Sequence, residues 1–119
     1  MKAGEIMTIL PNKIKIGPYV YRVESVPEGI VEDSQELYGH VSFGQDVIQI
    51  TTKFTNERVV TALLHEVLHA LSELFDLGLR ERQIACLAAG LMMVLTDNGF
   101  RIVVVDEGAG GDDGSQRND

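Results

Sequence analysis

Near residue 52 the spacing of the apolar residues changes from two to three or four, and this switch limits what the chain can fold into. Ahead of it, Lys13-Ile14-Lys15-Ile16 and Tyr19-Val20-Tyr21-Arg22-Val23 alternate about Gly17-Pro18, as the strands of a hairpin do. Glu24 to Glu36 is polar, holds Pro27 and Gly29, and reads as a loop. Leu37 to Phe43 and Asp46 to Thr51 form a second alternating pair broken at Gly44-Gln45, and Val47-Ile48-Gln49-Ile50 has the β-branched content of a strand. Beyond the switch, Val60, Leu63, Leu64, Val67, Leu71, Leu74 and Phe75 recur at helical spacing from about Asn56 to Asp76. Thr55 or Asn56 can cap this helix, and Gly78 is expected to end it. A second helix, about Arg80 to Asp97, is expected to bury Ile84, Leu87, Ala88, Leu91 and Leu95, with Asn98-Gly99 closing it. Arg101 to Val105 reads as a last strand. The expected fold is therefore α+β, a small antiparallel or mixed sheet packed on one helix that a second helix supports.

With 119 residues the chain has room for one domain, expected over residues 1–105. The last fourteen residues, 106–119, hold five acids and one Arg among Gly and Ser, the composition of a disordered acidic tail. The other 105 residues hold thirteen acids and nine bases without a Lys/Arg cluster, which argues against nucleic acid or an anionic membrane as partner. No apolar run reaches the roughly 18 residues of a membrane helix, and Met1 to Leu10 lacks the pattern of a secretory signal. The single cysteine, Cys86, cannot form an internal disulfide, and its apolar surroundings suggest a buried, inert thiol. A cytoplasmic location is the expectation.

The chemistry lies on the first helix, in His65-Glu66-Val67-Leu68-His69. Histidines four apart stand one above the other, about 5–6 Å between Cβ atoms. Both imidazoles can therefore reach one zinc ion at about 2.0–2.1 Å. Glu66, turned roughly 100° from His65, is poorly placed to bind that ion but can hydrogen-bond a water on it. Zinc, two histidines and a general base are what hydrolysis of a peptide bond requires. A structural metal site has no need of a carboxylate between its histidines. Tyr19, Tyr21 and Tyr38 are read as packing residues, with no oxyanion role.

A catalytic zinc usually takes three protein ligands, and Phe75 stands where a third histidine of a longer motif would fall. Asp76 is seven residues past His69, about 10 Å along the axis, and Glu73 would stretch the ligand row over eight residues. Glu81 is the leading candidate, because it shares the stripe of Ile84, Ala85, Ala88 and Met92 on the second helix. A straight antiparallel hairpin would instead bring Ala85 to Ala88 level with His69. His40, on a strand, is the alternative.

Thr61-Ala62-Leu63-Leu64-His65-Glu66-Val67-Leu68-His69-Ala70-Leu71 resembles the active-site helix of small zincin-like peptidases of phages and prophages, and more distantly that of ImmA/IrrE-type metallopeptidases. Leu37-Tyr38-Gly39-His40-Val41, Val47 to Ile50 and Glu81-Arg82-Gln83-Ile84 fit the same pattern, so the similarity runs from about Lys13 to Asn98. Arg80 departs from it, at a position where the pattern prefers a small capping residue. The resemblance implies a zincin-like fold, a phage or mobile-element origin, and a peptide or protein substrate lying along an edge strand, for which Val47 to Ile50 is the expected choice. The competing expectation is a non-catalytic binding or regulatory module on the same fold.

Overall fold

A computed structural model of the chain describes residues 10–102. β1 (Lys13–Ile16) and β2 (Tyr19–Val26) form the expected antiparallel hairpin, with Ile16 opposite Tyr19 across Gly17-Pro18. The segment read as a loop holds a small second hairpin instead, β3 (Ile30–Glu32) and β4 (Gln35–Leu37). Its turn is Asp33-Ser34, both at positive φ. β5 (Gly39–Ser42) and β6 (Val47–Thr51) pair antiparallel, and β6 also pairs parallel with β2. The main sheet is thus mixed, in the order β1-β2-β6-β5.

This order corrects the expectation for Val47 to Ile50, which is an inner strand and not an edge. The physical reason is its lack of alternation: Val47, Ile48, Ile50 and Thr51 are all buried, as in a strand covered on both faces. β5 is the edge. Ile48 and Ile50, fully enclosed, meet Ile16 and Tyr21 of the sheet and Val59, Ala62, Leu63 and Ala70 of the first helix. The opposite face is polar near β2, where the Gln49 side chain donates to Glu24 at 3.2 Å and Arg22 pairs with Glu24 at 3.0 Å.

α1 spans Asn56–Leu74, with the Thr55 hydroxyl accepting from the Arg58 N–H and Glu57 in its first turn. Gly78 does not end it. Asp76 takes the left-handed conformation at φ 54°, with the Leu77 N–H bonded to the Ser72 carbonyl at 2.9 Å and the Asp76 N–H to that of Glu73 at 3.3 Å. These two bonds are a Schellman end. α2 spans Glu81–Asp97 and closes the same way, on Gly99. Its start does not need a small cap, because the Gln83 side-chain oxygen accepts from the Arg80 N–H at 2.8 Å.

α2 departs from expectation in its packing. Ile84 and Ala88 are buried and Leu95 half-buried, but Leu87 and Leu91 are exposed, as is Cys86. Among the described elements α1 is the main neighbour of α2, and it can cover only one side of a helix whose run Ile84 to Leu95 is apolar all round. Phe75, expected in the α1 stripe, is exposed because the helix has already ended there. Arg101 and Ile102 lie in no strand, and Val103 to Val105 and the acidic tail fall outside the described residues. No described helix is long and apolar enough to cross a membrane.

Candidate metal centre

α1 lays Val59, Ala62, Leu63, Glu66 and Ala70 against the sheet and turns His65 and His69 toward the start of α2. The two rings stand 5.0 Å apart between centroids, as their four-residue spacing requires. Glu81 meets both: its Oε2 lies 2.6 Å from His65 Nε2, and its Oε1 2.8 Å from His69 Nε2. One ligand atom from each of the three residues falls within 4.8 Å of the others, a group that can hold a metal ion. Burial lowers the His65 pKa below its ordinary value; Glu81 pulls it up and His69 adds to the depression. A neutral imidazole, the ligating form, is thereby favoured.

The straight-hairpin objection to Glu81 fails because the chain doubles back. Between the last residue of α1 and the first of α2 run six residues, Phe75 to Arg80. His69 is only five residues from the end of α1, about 7.5 Å of rise. The loop retraces that distance, held by the Ser72 hydroxyl, which accepts from the Leu79 N–H at 3.0 Å. α2 therefore begins beside the histidines. Asp76 and Glu73 stay outside the cluster, as their spacing required.

His40 also stays outside. Strand residues alternate between faces, and Gly39 and Val41 face α1, so His40 points to the opposite side of the sheet. It sits opposite Gln49 there.

Glu66 lies beside the cluster without joining it. It is 6% exposed, and no described residue hydrogen-bonds or ion-pairs with it. Burial, with a smaller contribution from Glu81, raises its pKa to about 8. It lines a cleft of about 560 Å³ together with Tyr38, Gly39, Arg58, His65 and Glu81. A buried carboxyl without a partner is unfavourable by roughly 1–3 kcal/mol or more, so a cleft wall is where it calls for a functional reason.

Two features of the cleft escaped the sequence reading. A Cβ at Gly39 would stand 2.9 Å from Glu66 Oε2 and 3.1 Å from the Gln49 carbonyl oxygen, so only glycine leaves room for the carboxylate. Glycine within a strand is the signal of such a close approach. The Arg58 guanidinium donates to the Tyr38 hydroxyl at 2.9 Å across the cleft wall. That contact joins residues twenty apart and has no local signature. Compared with family models, curated proteins and solved structures, the chain matches none.

Proposed function

We propose that this protein is a zinc-dependent metallopeptidase with a zincin-like fold, in which His65, His69 and Glu81 hold the ion and Glu66 is the general base. The observation that carries the reading is the pairing of two unlike groups. Three donors converge on one point, and a buried carboxyl with no described partner stands next to it in an open cleft. Imidazole and carboxylate donors suit zinc. Bound there, zinc would supply a Lewis acid that lowers the pKa of water to about 7.

The protein's own share of the reaction follows from placement. Glu66, ionised once the positive charge of a bound ion offsets the burial that raises its pKa, takes a proton from the attacking water as its oxygen bonds to the scissile carbonyl carbon. It then hands that proton to the amide nitrogen as the C–N bond breaks, leaving a carboxylate and an amine. The substrate would lie along β5. The Thr51 N–H bonds to the Tyr38 carbonyl, so in the alternating antiparallel pattern His40 and Ser42 face β6 while Gly39 and Val41 turn their N–H and C=O groups outward. An extended peptide can pair with those groups. Gly39 would then place the peptide directly over Glu66.

The test uses two variants of the full chain. Glu66→Gln is expected to keep about one zinc per chain and lose peptide cleavage by roughly 10²–10⁴-fold. The double variant His65→Ala, His69→Ala is expected to lose the zinc itself. Equal zinc content in the double variant and the wild type would refute the metal site. A wild type that binds zinc but cleaves nothing in a broad peptide library would favour the non-catalytic binding module.

A further inference from the structure

We infer that α2 is a dimerisation helix, packing antiparallel on α2 of a second copy of this chain about a two-fold axis at Gly90. The run Ile84 to Leu95 is twelve residues without a polar side chain, yet within one protomer only Ile84 and Ala88 of α2 are buried. At 100° per residue, Cys86, Leu87, Gly90, Met93 and Val94 fall on one face about 120° wide. That face is turned away from the side that Ile84 and Ala88 bury. Leu87 is 46% exposed, Met93 61% and Val94 57%, with Leu91 at the border at 44%. A helix apolar on all sides belongs in an interior, and one neighbour is not enough to make one.

Gly90 supplies a separate reason. Glycine inside a helix is unfavourable by about 0.5–1 kcal/mol relative to alanine. A Cβ at Gly90 would meet nothing within 4 Å among the described residues, so none of them requires glycine there. The backbone of an outside element approaching this point would require it.

Size and symmetry favour a second copy as that element. The exposed parts of Leu87, Leu91, Met93 and Val94 come to about 400 Å² of apolar surface, the size of the largest patches on monomers, which are often functional. Doubled by a two-fold axis, with the roughly 40% polar share of an ordinary interface, this becomes about 1,300 Å², within the range of stable complexes. The face is also complementary to itself. Gly90 lies one residue from the middle of α2, and an antiparallel mate centred on it sets Leu87 opposite Met93 and Cys86 opposite Val94. The only polar residues on the face, Gln83 and Asp97, then stand opposite each other at its two ends. The Gln83 side-chain amide, whose oxygen is already engaged, has N–H groups left to donate to the Asp97 carboxylate.

Sedimentation equilibrium of the full chain, from micromolar to submillimolar concentration, tests this directly. The expected mass is twice 13.1 kDa at high concentration, falling toward the single-chain value on dilution. Gly90→Glu adds a good helix former where the described residues leave open space, so it should keep native helicity and sediment as a monomer throughout. Alkylation of the wild-type Cys86 gives a second readout free of any substitution: its rate should fall as the concentration rises and the face closes. A monomer at all concentrations would overturn the proposal, with fast alkylation meaning a bare face and slow alkylation a face covered by another segment of the same chain. A Gly90→Glu variant that is folded and still dimeric would overturn it as well. Neither readout depends on metal or on cleavage, so a failure here leaves the peptidase reading standing.

Discussion

Replacing Gly39 with alanine is the smallest change that should separate the proposed base from the proposed metal. The backbone at Gly39 is not in the left-handed region, so alanine brings no conformational strain and its effect is purely steric. The new methyl carbon would stand 2.9 Å from Glu66 Oε2, 3.0 Å from Glu66 Cγ and 3.1 Å from the Gln49 carbonyl oxygen. Ordinary contacts begin near 3.4 Å. Gln49 belongs to the inner strand β6 and is held by pairing on both sides, so the backbone cannot yield. Glu66 has to move, and relief of both of its contacts shifts the carboxylate by several tenths of an ångström to about 1 Å.

Overpacking of this kind destabilises by about 1–3 kcal/mol. A displacement near 1 Å of a group that must meet the reacting atoms lowers the rate by about 10²-fold. None of the three atoms nearest the new methyl belongs to the histidines or Glu81, so zinc affinity should stay within about twofold of the wild type. The assays are zinc titration by competition with a chromophoric chelator, and steady-state cleavage of a peptide that the wild type hydrolyses. Wild-type kcat with wild-type zinc content in Gly39→Ala would refute the reasoning, because it would show that the position of Glu66 does not matter to the chemistry. Loss of zinc in parallel with activity would refute it too, by showing that the clash acts on the whole site.

Two further substitutions test the ligand set. Glu81→Gln should weaken zinc binding at least tenfold at neutral pH, since an amide oxygen replaces an anionic donor, while circular dichroism of the metal-free protein stays native; unchanged affinity would remove Glu81 from the site. His40→Ala should leave zinc affinity as it is, because His40 is on the far face of the sheet, and a drop in affinity by competition titration would mean that the strand turns the other way.

What the sequence disclosed was what neighbouring residues decide. The convergence of His65 and His69 follows from helical geometry alone, and so does the turning of Glu66 away from them. The period-two segments located β1, β2, β5 and β6. Their order was not legible, although β6 carried a clue in its unbroken apolar character, which belongs to an inner strand. The β3–β4 hairpin was missed because its three-residue strands are too short to show a period and Asp33-Ser34 is an uncommon pair for a turn with two positive φ angles. α2 misled for the opposite reason. With apolar residues on every side, periodicity cannot say which of them faces α1, so Leu87 and Leu91 looked as buried as Ile84.

The placement of Glu81 depends on a contact that no local pattern announces, and Ser72 exposes that dependence to experiment. Ser72 is 8% exposed, and its hydroxyl accepts the Leu79 N–H two residues before Glu81. Removing it leaves that N–H without its acceptor at a point where the chain must reverse over about 7.5 Å to bring α2 beside the histidines. Ser72→Ala should lower stability by about 1–2 kcal/mol through the lost bond. For a domain near 100 residues that is a fall in melting temperature of about 4–8 °C per kcal/mol. If the same bond sets where α2 begins, zinc affinity should fall by about three- to tenfold, although Ser72 is not itself a proposed ligand. Chelator competition and thermal melts of the zinc-free and zinc-loaded protein measure the two effects separately, because an ion bound only by the native state adds its own stabilisation. A lower melting temperature with wild-type zinc affinity would show that the loop merely contributes to stability, and that Glu81 reaches the histidines by its own side-chain freedom.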